Sequence, residues 1–353
     1  MKRILLFLAT LLFGLCETVY AAPCLQSANC RGMLNIAQKN VPYFRSYPLA
    51  TPNKLITRAI IVIHGTSRAA DSYFNSMVGA AILAESEYDA QASVDTLIAA
   101  PHFRFISDIP AGELADALYW NDNWKQGDDA QNKLVSSYQV IDHILQKLNN
   151  QDVFPALKEI IVTGHSAGGQ FVQRYAAGSS ELSQLRAGLT VRVIVANPSS
   201  YIYLNDQRRV GASNNFSLPF VVIPLPPFVA PHPAFPLVPA AQESTDNSNR
   251  NMFCPGEYNK YRYGLVGLNR YMASTNISAM QTRYKNVQLT YFLGTNDNTW
   301  DSNLAISCEA MVQGNNRFER GVNYKKFMDK FFPGHKHFLQ TALGVGHSAG
   351  SMY

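Results

Sequence analysis

The sequence predicts an α/β fold, a mostly parallel sheet flanked by helices on both faces, with a small cap or insert late in the chain. Three observations carry that reading. Short β-branched apolar runs at 59–63, 96–99, 159–163, 191–196 and 287–293 alternate with longer segments of helical period. The runs are apolar on both faces, as strands are when helices cover them from both sides. Between the run at 159–163 and a helical segment sits Gly164-His165-Ser166-Ala167-Gly168-Gly169, a sharp strand-to-helix turn.

Residues 1–21 stand apart from the fold. Lys2 and Arg3 give a positive start, positions 4–15 are almost unbroken apolar sequence, and Val19 and Ala21 occupy the −3 and −1 positions of a cleavage site. That is the layout of a secretory signal peptide cut after Ala21. The apolar run is short for the roughly 20 residues of a membrane span. Leu15 is bulky where a lipoprotein signal before Cys16 wants a small residue. The protein is therefore expected to be secreted, periplasmic or extracellular, with residues 22–353 as its folded domain.

Export shapes the cysteine reading. Cys16 leaves with the signal, and Cys24, Cys30, Cys254 and Cys308 remain. Four cysteines in an oxidising compartment predict two disulfides. Three pairings are open, and a short Cys24–Cys30 loop with Cys254–Cys308 is the simplest. No Cys-x-x-Cys or paired Cys/His spacing supports zinc instead. With 47% hydrophobic and 16% charged residues the chain is an ordinary globular protein. Its net charge of +5 falls by one with the signal peptide, and no Lys/Arg run is interleaved with aromatics. Nucleic-acid binding has no support, and a weak attraction to anionic membrane surfaces is all that the charge offers.

Along the chain, 59–63 and 96–99 read as buried strands. Residues 134–148 carry Leu134, Tyr138, Ile141, Ile144, Leu145 and Leu148 on one helical face. A helix begins at 170–177, strands follow at 191–196 and 287–293, and 338–343 is the last. Residues 218–239 hold many prolines among apolar residues and form neither a regular helix nor a central strand. They read either as a surface loop or as part of a cap, spanning about 200–275, that touches a greasy substrate or a membrane. Residues 241–252 are polar and read as exposed.

The chemistry concentrates at Ser166. The turn from strand to helix is so tight that side chains two residues either side would collide, and Gly164 and Gly168 remove those collisions. The helix that follows presents backbone N–H groups and a partial positive charge where an oxyanion would form. A serine needs a base held by a third group. His347, in Gly344-Val345-Gly346-His347-Ser348, follows the last strand and suits that role better than His335 or His337, which precede it. Asp297, just past the strand at 287–293, is the acid expected to orient His347, with Asp301 as the alternative. The backbone N–H groups of Ala167 and of Thr66, in the Ile63-His64-Gly65-Thr66 turn, are the expected oxyanion donors. Tyr119, Trp120 and Trp124 read as a loop anchor or as cleft lining. The segment Asn197-Pro198-Ser199-Ser200-Tyr201 lies at the sheet's carboxyl edge, where ligands bind in open α/β folds.

Over residues 55–350 the chain resembles the α/β-hydrolase superfamily. The segments Gly164-His165-Ser166-Ala167-Gly168-Gly169-Gln170, Ala196-Asn197-Pro198-Ser199-Ser200-Tyr201 and Tyr261-Arg262-Tyr263-Gly264-Leu265 look like those of secreted hydrolases nearest esterases and polyhydroxyalkanoate depolymerases. The resemblance implies the Ser166–Asp297–His347 triad and neither metal nor organic cofactor. The expected function is hydrolysis of a small-molecule, lipid or polymeric carboxylic ester. Rival readings on the same scaffold are a lipase or phospholipase, a serine peptidase, and a non-catalytic binding protein.

Overall fold

The computed structural model describes residues 22–210, 214–219 and 257–353. The signal segment, the polar stretch 241–252 and all but two residues of the Pro-rich 218–239 stretch lie outside them. So does most of the cap expected over 200–275.

An eight-stranded sheet organises the chain. Its strands are β1 (Arg31–Ile36), β2 (Lys39–Arg45), β3 (Arg58–Ile63), β4 (Thr96–Pro101), β5 (Glu159–His165), β6 (Thr190–Ala196), β7 (Gln288–Gly294) and β8 (His337–Ala342). Their spatial order is β1-β2-β4-β3-β5-β6-β7-β8. Only β2 runs against the others, and every pair from β4 to β8 is parallel. This is the mostly parallel α/β sheet that the sequence predicts. Alternation along β3 shows why helices cover both faces: Ala59, Ile61 and Ile63 enter the larger core, while Val62 enters a second one. Helix α1 (Ala70–Glu87) closes the second core with Phe74, Met77 and Val78. On the other face pack α2 (Ser137–Leu148), α3 (Ala167–Gly178), α4 (Ile277–Asn286) and α5 (Arg317–Phe331).

The helix expected over 134–148 starts later. Lys133–Ser136 is extended and pairs with Asp129–Ala130, and Leu134 is 77% exposed rather than on the buried face. A capping box sets the boundary: the Ser136 hydroxyl accepts from Tyr138 N–H at 3.1 Å, and Gln139 Oε1 accepts from Ser136 N–H at 2.9 Å. The helix expected from 170 begins at Ala167.

Around the end of the sheet, buried arginines do the work of loop staples. Arg208 donates to the carbonyls of Asn205, Gln207, Tyr258 and Tyr263, tying residues 205–208 to residues 258–263. Arg320 does the same for Gly314 and Ser199. Trp120 and Trp124 are buried, and Trp124 stacks on Phe103 with ring centroids 5.4 Å apart, so these residues anchor the loop. Cys24 and Cys30 form a disulfide. Cys308 is also disulfide-bonded, while Cys254 lies outside the described residues. Among the described residues no helix is long and apolar enough to cross a membrane.

Candidate active site

Parallel strands end together, so their carboxyl ends bring distant loops side by side. Ile63 of β3 pairs with Gly164 of β5, His165 with Ala196 of β6, and Gly294 of β7 with Ala342 of β8. Each site segment follows one of these ends.

Ser166 links β5 to α3 with φ 59° and ψ −118°, a backbone state that a non-glycine residue holds only when its surroundings impose it. The imposition is steric. A β-carbon on Gly164 would lie 2.5 Å from the backbone of Gly168, and one on Gly168 would lie 2.2 Å from the Ile63 carbonyl oxygen. Their absence lets α3 touch both the elbow and the end of β3. The Ser166 N–H donates to Ala196 O at 3.0 Å, fixing the turn from the β6 side.

His347 Nε2 lies 2.9 Å from Ser166 Oγ, and His347 Nδ1 lies 2.7 Å from Asp297 Oδ2. The three residues are 181 and 50 positions apart in sequence. Asp297 is 1% exposed and the His347 side chain 20%, so the imidazole is the wetter partner of a largely buried pair. Two loops fix their spacing. Thr295 N–H donates to Ala342 O, Asn296 N–H to Val345 O, and Gly344 N–H to Thr295 Oγ1. Asp301, the alternative acid, is held by Arg317 at 2.6 and 2.8 Å instead of by the imidazole. The rival histidines are elsewhere: His335 is paired with Asp329, and His337 is buried against Tyr291 and the Tyr284 carbonyl.

Two further histidines frame the site. His64 Nε2 accepts from Phe103 N–H at 3.1 Å, which leaves Nδ1 to carry the proton it donates to Gly65 O at 2.9 Å. Burial pushes its pKa down to about 3, so it stays neutral. A trans peptide points its N–H away from its carbonyl. Holding Gly65 O on His64 therefore aims the Thr66 N–H away from that ring, and it donates to no backbone carbonyl among the described residues. The Ala167 N–H, in the first turn of α3, has no intrahelical partner either. His165 lies with its ring 4.5 Å from that of His347, and burial first, then the neighbouring His347 and Arg317, depresses its pKa to about 3. Its Nδ1 meets Tyr73 OH at 3.3 Å.

Sequence reasoning missed Arg317, whose guanidinium is fully buried with Nη1 3.3 Å from Asp297 Oδ1. An arginine opening a helix 20 residues beyond the acid carries no motif. Among the described residues no group of three His, Cys, Asp or Glu side chains is arranged to hold a metal ion.

No family model matches the chain, and no curated protein matches it by sequence. Solved structures do. The poly(3-hydroxybutyrate) depolymerase LpqC from Bordetella parapertussis is 17% identical, with a TM-score of 0.55 over 91% of this chain and 86% of its own. Poly(aspartic acid) hydrolase-1 from Sphingomonas sp. KT-1 is 19% identical, with a TM-score of 0.54 over 91% and 95%. With its eight-stranded, mostly parallel sheet between helices, the chain has the α/β-hydrolase fold.

Proposed function

We propose that this protein is a secreted serine hydrolase that cleaves carboxylic esters through an acyl-enzyme on Ser166. The observation that carries the reading is the continuous hydrogen-bonded line from Ser166 Oγ through His347 to a buried carboxylate at the sheet's carboxyl edge. In the reaction, His347 Nε2 takes the hydroxyl proton as Ser166 Oγ bonds to the ester carbonyl carbon. The oxyanion that forms accepts hydrogen bonds from the Ala167 and Thr66 N–H groups. Collapse breaks the bond to the alkoxide, which leaves with the proton from His347. Water then attacks the acyl-enzyme, giving one proton to His347. The acid departs as that proton returns to Ser166 Oγ. Asp297 keeps the imidazole in the tautomer with Nδ1 protonated and supports its positive charge. No cofactor is needed for any of these steps.

Export is part of the proposal, with residues 1–21 as a removable signal, and the Cys24–Cys30 disulfide fits an oxidising compartment.

A fluorophosphonate probe tests the chemistry. Wild type labels at Ser166, whereas Ser166→Ala and His347→Ala do not; a folded wild type that stays unlabelled removes the proposal and leaves the binding-protein reading. A panel of p-nitrophenyl esters of rising chain length then separates esterase from lipase. The two solved neighbours are named for a polyester and for poly(aspartic acid), so both polymers join the panel. Turnover of the latter alone would favour the peptidase reading.

A further inference from the structure

We infer that Arg317 is a positioning residue for the proposed reaction, and that Arg317 and Asp301 together set how strongly Asp297 supports a charged His347. The inference rests on the reading of Ser166, His347 and Asp297 as a triad.

Among the described residues the Asp297 carboxylate accepts two hydrogen bonds. One comes from His347 Nδ1 at 2.7 Å on Oδ2, the other from Arg317 Nη1 at 3.3 Å on Oδ1. Arg317 is therefore the second hand on the carboxylate, fixing the plane in which it meets the imidazole. Arg317 is itself fixed from two sides. Asn316 caps α5 by accepting from Glu319 N–H, and the next residue, Phe318, donates its N–H to the Asp297 carbonyl at 3.1 Å. Asp301 then clamps the guanidinium with both oxygens, at 2.6 and 2.8 Å, the forked geometry in which arginine binds carboxylate best. Among the described residues Arg317 Nε has no hydrogen-bond partner.

Charge explains why three groups are present rather than two. Asp297, Asp301 and Arg317 sum to one negative charge beside His347, which an imidazolium neutralises. Without the guanidinium, two carboxylates face the ring and favour its protonated form. Without the Asp301 charge, Asp297 and Arg317 cancel and the imidazolium loses its support. Other titratable groups around this cluster hold one charge state across the useful pH range. His165, from β5, is neutral, its pKa depressed to about 3. Tyr201, beyond β6, is kept protonated by burial. Arg320, on α5 beside Glu319, keeps its charge, lowered by burial only to about 10.

The rate of fluorophosphonate labelling from pH 5 to 8.5 reports neutral His347 as its acidic limb. Relative to wild type, Arg317→Gln is expected to move that limb to higher pH and Asp301→Asn to lower pH, each by about half a unit or more for one charge removed. Arg317→Lys keeps the charge without the fork, so the limb stays within about 0.3 unit while the plateau rate falls. Limbs that stay at the wild-type pH, or that move in the same direction in both variants, overturn the inference and leave the triad standing. A wild type that does not label at Ser166 overturns the triad and the inference with it. If Arg317→Gln fails to fold by circular dichroism, Asp301→Asn decides alone: its side chain is over a third exposed, and the limb must move down.

Discussion

At position 168 a side chain would meet two backbone carbonyls. A β-carbon there lies 2.2 Å from Ile63 O and 2.7 Å from His64 O, both at the end of β3. In an open helix, glycine to alanine stabilises by about 1 kcal/mol. Here the overpacking cost of about 1–3 kcal/mol or more opposes it and wins, because backbone cannot swing aside. Gly168→Ala is therefore expected to lower the unfolding free energy by about 1–3 kcal/mol. It should also slow probe labelling, since separating α3 from β3 moves the Ser166 elbow away from the Thr66 turn. An unchanged urea midpoint would show that the contact is slack. At this scale the sequence was most informative where a motif states its own context. Ser166 follows from glycine spacing, and His347 and Asp297 from chain order after strand ends. Arg317 was invisible because its partners, 16 and 20 residues away, are chosen by how α5 docks, which no local pattern encodes. His64 and His165 were visible as letters of a motif, but their tautomer and packing depend on Phe103 and His347.

Elements were legible in proportion to how purely apolar their buried faces are. All six residues of β4 are buried, and so are the last six of β5, and both appear in sequence as apolar runs. The hairpin of β1 and β2 was not legible. Only Leu34 of β1 is buried, Pro42 interrupts β2, and the turn is made by Ala37 and Gln38 at positive φ, where the Asn-Gly signature is absent. Helix α5 hides for another reason: Arg317, Arg320 and Asn323 point inward among its buried residues, so its apolar period is broken by polar side chains that bond Asp297 and the carbonyls of Ser199, Gln313 and Gly314. The start of α2 was misplaced because Leu134 completes the apolar pattern while the cap lies two residues on. That cap is testable. Ser136 is fully buried, accepts from Tyr138 N–H, and donates to Gly127 O at 2.6 Å. Ser136→Ala removes the cap and leaves that carbonyl without its donor, so it is expected to cost about 1–2 kcal/mol. Ser136→Thr, which keeps both the N-cap acceptor and the hydroxyl donor, should recover part of the loss. A urea titration in which the alanine variant matches wild type would show that the helix start is held by packing alone.

Across the whole molecule, buried histidines tie stability to pH. Burial depresses His64 and His165 to about 3, and His102 and His337 to about 4. In the unfolded chain each titrates near 6.5. Between about 6.5 and 4 the unfolded state therefore binds protons that the folded state refuses, and stability falls as pH falls. Each such histidine contributes up to about 1.4 kcal/mol per pH unit in that window. Asp142 acts the other way. Burial raises its carboxyl to about 6 despite hydrogen bonds from Tyr175 and Tyr271, so between about 6 and 4 the folded state binds the extra proton and offsets roughly one histidine. His143 is lowered too, by burial and then by Lys147, so with these four large shifts against Asp142 the unfolding uptake in the middle of the window is about three protons or more. Asp108 and Asp301, lowered to about 2 mainly by their arginines, extend the loss below pH 4. The expected outcome is a urea midpoint steady above pH 7 that drops steeply between pH 6.5 and 4.5. Replacing His337 by Gln, which keeps a donor near the Tyr284 carbonyl but cannot charge, should make that drop shallower by the share of one proton. A midpoint flat from pH 7 to 5 would mean that these rings are reached by water and charge inside the folded protein, and the closed packing around β3, β5 and β8 would have to be abandoned.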